Sequence, residues 1–473
     1  MKASQFTWLL ILLFCAIACA SRNQGESPGN NIKDSGVVTN AVASDTFQPG
    51  KVIKQVFCKT NAAQSYALYI PAGGNSETLP VVYFFDPHGD GAFPLDKYKT
   101  LADTYDFILI GSNNSKNGND WPTADHIWNA LFDDSQKRLK INTGRIYTCG
   151  FSGGAKVAGY VALAHNEVKG VIANGAGLPD ATGAGNFNFS FTAIAGEGDL
   201  NMTDLVAITA SLDKTQTRHR IIFFDGKHEW APENTMNIAF AGLQFDAMYE
   251  KLIPGDDAFI NNYIAGSKKR IDTYLKAGNY IKAERECTLS INLLGKLTNN
   301  VNWFKEKDAL FKSNAVYQKQ SQTQQNLLVA EQNQKTLYMQ QFQQGDMNYW
   351  MKTITGLQTK ARAQTAEGAM YQRLLAYLSL AFYSISNQFV TGNRNKEAEY
   401  FVTLYKMVDA TNSEAWYFSA ILDARNNNAK ATENDLLKAI ACGFTDKNRL
   451  RQQPEFQNLG AQINLAEIES KMK

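Results

Sequence analysis

The chain has 473 residues, 44% of them hydrophobic, and its 47 basic and 45 acidic side chains leave a formal net charge of +2. That near balance gives no general electrostatic footprint for nucleic acid, and no glycine-rich phosphate loop is present. The apolar content over this length is enough for two folded domains.

Met1-Lys2 and the apolar run from Trp8 to Ala18 read as a signal peptide rather than a spanning helix. Ala16-Ile17-Ala18-Cys19 puts small residues before a cysteine and so resembles a bacterial lipobox. That resemblance implies residues 1–18 as the leader, Cys19 as a lipid-bearing first mature residue, and a place at the bacterial cell envelope. Ordinary signal cleavage nearby is the alternative. Residues 19–48, rich in Ser, Asn and Gly, read as a flexible tether, so the membrane would be met only through the N-terminal lipid. With Cys15 and Cys19 set aside, Cys58, Cys149, Cys287 and Cys442 show neither metal-ligand spacing nor a dense disulfide framework.

Residues 49–252 alternate between strand and helix patterns. Strands are expected near 51–58, 65–70, 81–86, 107–112, 145–150, 169–174, 191–196 and 219–224. Continuous apolar runs such as Phe107-Ile108-Leu109-Ile110 fit strands buried on both faces, as a mostly parallel sheet demands. Functional residues of such a sheet gather at the carboxyl ends of its strands.

The loop after the third strand reads Asp86-Pro87-His88-Gly89-Asp90-Gly91. Pro87 has no N–H, so a backbone donor here must come from His88, Gly89 or a residue just beyond; the His88 amide is favoured. Trp121 and Trp128 precede the next motif. Gly150-Phe151-Ser152-Gly153-Gly154 follows an apolar run and precedes a helical pattern, which is the context of a nucleophile elbow. A serine on so sharp a turn needs small residues two positions away on either side, and Gly150 and Gly154 supply them. The N-terminus of the helix would then aim the Gly153 amide at an oxyanion.

An activated serine needs a base and an acid, in the order Ser, acid, His. Of five histidines, only His228 follows a late strand on a loop, within Asp225-Gly226-Lys227-His228-Glu229-Trp230. Asp199, in the turn after Phe191-Thr192-Ala193-Ile194-Ala195, is the candidate acid, with Glu197 and Asp204 as neighbours able to take the role. Gly89 and Trp230 are candidate substrate-facing positions; packing against the sheet edge is an equal reading of Trp230.

GFSGGA, AGEGD and GKHEW, in that order and each after an expected strand, resemble the α/β-hydrolase fold. The likeness is greatest to secreted esterases of the polyhydroxybutyrate depolymerase, feruloyl esterase and acetylxylan esterase type. It implies a Ser152, Asp199, His228 triad, no metal or organic cofactor, and an ester substrate, polymeric in some relatives. The His-Gly pair departs from that group's pattern because Asp-Pro is inserted before it.

From residue 260 to 473 strand patterns vanish and helical periodicity takes over. Arg270 to Glu284 resembles a tetratricopeptide-like hairpin about Gly278-Asn279. Asn395-Lys396-Glu397-Ala398 has a partner 33 residues on at Asn428-Ala429-Lys430-Ala431. The glutamine-rich stretch Gln318 to Gln344 carries Leu327, Leu328, Leu337 and Phe342 at helical spacing and reads as a long surface helix. Trp350, Phe382, Phe401 and Tyr417 read as helix-packing core; a concave surface holding a polymer or a protein partner is the functional alternative. The expected whole is an α/β hydrolase followed by an all-α helical-repeat domain, acting as a serine ester hydrolase. A serine peptidase or thioesterase on the same fold, and a non-catalytic lipoprotein scaffold, are the competing readings.

Overall fold

The computed structural model describes residues 47–73, 77–179 and 182–472; the apolar leader, Cys19 and nearly all of the tether lie outside the described residues. Eight strands form one sheet: β1 (Ile53–Phe57), β2 (Ser65–Tyr69), β3 (Leu79–Phe85), β4 (Ile108–Ser112), β5 (Ile141–Phe151), β6 (Val168–Asn174), β7 (Ser190–Gly196) and β8 (His219–Phe224). Their spatial order is β1-β2-β4-β3-β5-β6-β7-β8. β2 runs antiparallel to both its neighbours, and the other pairings are parallel. All eight expected strands are present, and β3 and β7 are buried at every position, as strands covered on both faces must be. β5 starts earlier than its apolar run suggests, because Ile141 pairs with Leu79 ahead of a register shift.

The connections are helical: α1 (Ala92–Tyr105), α2 (Trp121–Arg138), α3 (Gly153–Ala164), α4 (Met202–Leu212) and α5 (Glu233–Tyr249). Local chemistry sets their starts. Asp120 caps α2 by accepting from the Thr123 N–H at 2.9 Å, with proline in the first turn. The strand order, the single antiparallel second strand and the sharp turn from β5 into α3 make this an α/β-hydrolase fold.

The described chain divides into two compact units: residues through Gly196 with Asn201–Gln318, and Glu197–Leu200 with Lys319–Lys473. Three helices beyond the sheet belong to the first unit: α6 (Asp257–Lys276), α7 (Tyr280–Leu294) and α8 (Val301–Ser313). Ile260, Ile264, Ile271, Cys287, Leu293 and Phe304 on these helices share one core with the strands. The α6–α7 turn uses Gly278 at φ +70° and Asn279, whose side chain accepts from the Lys282 N–H at 3.0 Å. Lys282 also pairs with Asp225 just after β8, which ties α7 to the loop leaving that strand.

A second link fixes α5 to the sheet. Arg220 on β8 is 1% exposed and forms a bidentate pair with Asp246 on α5, while its Nε donates to Thr192 Oγ1 at 2.8 Å. A Cβ on Gly242 would fall 3.0 Å from that guanidinium, so glycine lets the helix approach it. Burial pushes the Asp246 carboxyl up, but Arg220 and Arg218 outweigh it and hold the carboxyl below its usual range.

The division between the units falls within α9 (Ala315–Gln344), the long helix expected over the glutamine-rich stretch. It is followed by α10 (Met347–Lys360), α11 (Ala366–Thr391), α12 (Asn395–Val408), α13 (Ser413–Arg425) and α14 (Ala429–Ala441), then the short α15 (Lys447–Gln452), α16 (Pro454–Leu459) and α17 (Leu465–Ser470). Trp350 lies at the centre of this unit's core, stacked on Phe342 at 5.4 Å and edge-on to Phe382 at 5.2 Å. Phe401 and Tyr417 are also buried there, as expected of helix-packing aromatics. Asn393 and Asn427 adopt left-handed φ of 53° and 56° just before α12 and α14, the two segments that match each other in sequence. Asparagine is one of the few residues that tolerate this conformation.

Cys58, Cys149, Cys287 and Cys442 are free thiols. Burial pushes the Cys58 thiol up to about 11 and Cys287 up to about 12, so both stay protonated and pack as small apolar side chains. Among the described residues no helix is long and apolar enough to cross a membrane.

Candidate active site

The turn from β5 into α3 is tight at the atomic level. A Cβ on Gly150 would stand 2.0 Å from the Gly154 carbonyl oxygen, and one on Gly154 would stand 1.9 Å from that of Phe85. Only glycine fits either place. Ser152 between them takes φ 54° and ψ −121°, a strained conformation for any side chain. The strain is held on both sides: the Ser152 N–H donates to Asn174 O at 2.9 Å, and the Ser152 carbonyl accepts from the Ala155 N–H at 3.0 Å.

The turn presents the hydroxyl to a histidine. Ser152 Oγ lies 2.9 Å from His228 Nε2. The other four histidines are engaged elsewhere: His88 with Asp86, His126 with Asn61, His165 with Asp125 and His219 with Asp213. The His228 ring lies against Phe151 with centroids 4.8 Å apart, so the residue before the serine also shelves the imidazole. Gly153 opens α3, and its N–H therefore has no intrahelical acceptor.

The loop carrying His228 is pinned from three sides. Asn174, fully buried at the end of β6, accepts from the Ala231 N–H at 2.7 Å and donates to Glu229 O at 3.3 Å. Tyr98 OH donates to Ala231 O at 2.6 Å. The Trp230 indole donates to Asp86 Oδ2 at 2.9 Å. Asn174 thus holds the elbow by its carbonyl and the histidine loop by its carboxamide. Asn174→Ala would strand both loop groups, and a stability loss of about 1–3 kcal/mol is expected. Urea unfolding of the two proteins measures it, and an unchanged midpoint would show that the loop does not depend on this residue.

Sequence reasoning did not anticipate Asn174 or Asp86. Asp86 is 4% exposed and receives the His88 N–H at 2.8 Å as well as the indole. Burial raises its pKa, yet the hydrogen bonds from His88 and Trp230 prevail and keep the carboxyl below its usual range. The hydrogen bond to Asp86 correspondingly raises His88. The His88 amide, favoured as an oxyanion donor, is therefore already engaged, and so is the Gly89 amide, which donates to Asp86 O at 3.1 Å. The physical reason is the turn: aspartate at its first position accepts from the N–H two residues on. Trp230 is likewise inside the core, with ring centroids 6.1 Å from Phe84, 6.0 Å from Tyr98 and 5.6 Å from Phe151. Of the two readings open from sequence, packing is the one this geometry matches.

Asp199 lies three residues beyond β7 and is fully buried. Glu197 is half-buried and Asp204 is exposed in the first turn of α4. A Cβ on Gly196, the last residue of β7, would fall 2.4 Å from Lys227 O and 2.7 Å from Gly226 O. The strand that leads to Asp199 thus ends directly against the loop that carries His228. Among the described residues no group of His, Cys, Asp and Glu is arranged to hold a metal ion.

No family model matches the chain, and no curated protein does. Among solved structures, an esterase from the archaeon Pyrobaculum calidifontis is similar at 14% identity, covering 43% of this chain and 87% of its own, with a TM-score of 0.34. A fungal esterase from Rhizomucor miehei is similar at 15% identity over 43% of this chain and 86% of its own, TM-score 0.35. A ferulic acid esterase is similar at 14% identity over 41% of this chain and 97% of its own, TM-score 0.32.

Proposed function

We propose that the chain is a serine hydrolase of carboxylic esters, working through an acyl-enzyme. The observation that carries this reading is the 2.9 Å approach of His228 Nε2 to a serine hydroxyl on a strained strand-to-helix turn. Ser152 Oγ attacks the ester carbonyl carbon as its proton passes to His228 Nε2. The carbonyl electron pair moves onto oxygen, where the Gly153 amide faces it. Collapse of this intermediate expels the alcohol, which takes the proton back from His228. Water then repeats the sequence on the acyl group, releasing the acid and restoring Ser152.

Asp199 is the proposed acid, accepting from His228 Nδ1. Its support is chain order and burial: a triad acid is withdrawn from water, and of the three candidates Asp199 alone is fully buried. On the sequence grounds given above, the proposal extends to an ester of carbohydrate or polyester at the cell envelope, to lipid attachment at Cys19, and to a protein partner for the helical unit.

The test is a substrate panel with the full chain: p-nitrophenyl acetate, methyl ferulate, a 3-hydroxybutyrate ester, a thioester and a peptide anilide. Ester turnover that disappears in Ser152→Ala is the expected result. Turnover confined to the thioester or the anilide would replace ester hydrolysis by one of those activities.

A further inference from the structure

We propose that the side-chain amide of Asn117 is the second oxyanion donor, an inference that rests on the serine-hydrolase reading above. In this fold the donor facing the nucleophile's own helix normally comes from the backbone after β3. Here the first three positions of that backbone are committed. Pro87 has no N–H, the His88 N–H donates to Asp86 Oδ1 at 2.8 Å, and the Gly89 N–H donates to Asp86 O at 3.1 Å. The first three residues after Asp86 therefore offer no free N–H to stand beside the Gly153 amide.

The loop after β4 fills that place. Ser112 Oγ anchors its root by accepting from the Asn114 and Ser115 N–H groups at 3.3 and 3.0 Å. Further along, the Asn117 N–H donates to Pro87 O at 2.8 Å, which lays this loop beside the turn after β3. The Asn117 side chain then covers Gly153. A Cβ added to Gly153 would fall 1.9 Å from Asn117 Oδ1, 3.0 Å from Cγ and 3.6 Å from Nδ2. A side chain at residue 153 would displace the Asn117 carboxamide, which lies over that position.

That placement has a chemical consequence. The carboxamide sits beside the amide that faces the oxyanion, and it hydrogen-bonds to no other described residue, so turning about its last torsion breaks no bond. Rotated with Nδ2 inward, it supplies an N–H to a negative oxygen held by the Gly153 N–H. Asparagine side chains serve as oxyanion donors in other hydrolases, where removing one lowers kcat by about 10²–10³-fold. The substrate class is unchanged; what Asn117 adds is stabilisation of the tetrahedral intermediate.

The experiment uses the full chain and its Asn117→Ala and Asn117→Asp variants with p-nitrophenyl acetate, together with inhibition by an aryl trifluoromethyl ketone, whose serine adduct carries the oxyanion. The inference predicts a fall in kcat of about 100-fold for Asn117→Ala with KM little changed, and a larger fall for Asn117→Asp, which puts a negative charge against the oxyanion. Inhibitor affinity should weaken by the same factor as kcat/KM, since both report transition-state binding. Asn117 is exposed, so thermal midpoints should stay together. A wild type that turns over the ester through Ser152, beside an Asn117→Ala with full kcat and inhibitor affinity, would overturn this inference alone. Loss of activity accompanied by a lowered thermal midpoint would also overturn it, in favour of a structural role. A wild type inert towards ester and inhibitor would remove the hydrolase reading and the inference with it.

Discussion

Replacing Ser152 by alanine is expected to lower ester kcat by on the order of 10⁶-fold, and His228→Ala by a comparable factor, because the two act as one unit. The hydroxyl is a weak nucleophile until its proton has somewhere to go, and the only imidazole at Ser152 is that of His228, 2.9 Å away. Ser152→Ala/His228→Ala should therefore be little slower than either single variant. Neither change opens a cavity at a buried side chain, since both residues are half-buried, so folding should be kept. Steady-state kinetics on p-nitrophenyl acetate with circular dichroism as the folding control decides the matter. Single-variant losses that multiply in the double variant would contradict a nucleophile–base pair.

Asp246→Asn should produce the largest loss of stability, about 3–5 kcal/mol near neutral pH. The substitution keeps the shape but leaves Arg220, 1% exposed, with no counter-charge in the core. The same pair predicts a direction with pH. Because the folded state holds the Asp246 carboxyl below its usual range, the pair's stabilisation is complete above the unfolded carboxylate pKa of about 3.9. It is lost as pH falls through the lower folded-state value. The difference between wild type and Asp246→Asn in urea midpoint should accordingly be full at pH 7 and shrink on acidification below about pH 4. A difference that grows towards low pH would show that the sign is wrong. Because Asp246 lies on the helix that follows the His228 loop, the variant should also lower kcat at temperatures where it remains folded.

The sheet was legible because parallel strands covered on both faces must be apolar throughout, and β3, β4 and β7 announce themselves as unbroken runs. The elbow was legible for a local reason: Gly150 and Gly154 are required by backbone contacts within a few residues, so the demand is written next to the serine. His228 could be found by elimination, given five histidines and one late loop. Asn174, Asp86 and Asn117 could not. A single polar residue at a strand end or in a loop has no periodicity, and its task depends on partners far away, 144 residues in the case of Asp86 and Trp230. The committed amide of His88 was readable in principle, since aspartate before Pro-His-Gly is itself a turn signal. The hairpin about Gly278 reads locally like the later helices, but its partner is decided by long-range packing, and the structure buries its apolar face with the strands.

The most direct test of the central claim is intact-mass and peptide mapping of the full chain after treatment with a fluorophosphonate. The account predicts one covalent adduct, placed on Ser152 and absent from His228→Ala. A folded chain that acquires no adduct, or one that carries it on a different serine, would contradict it.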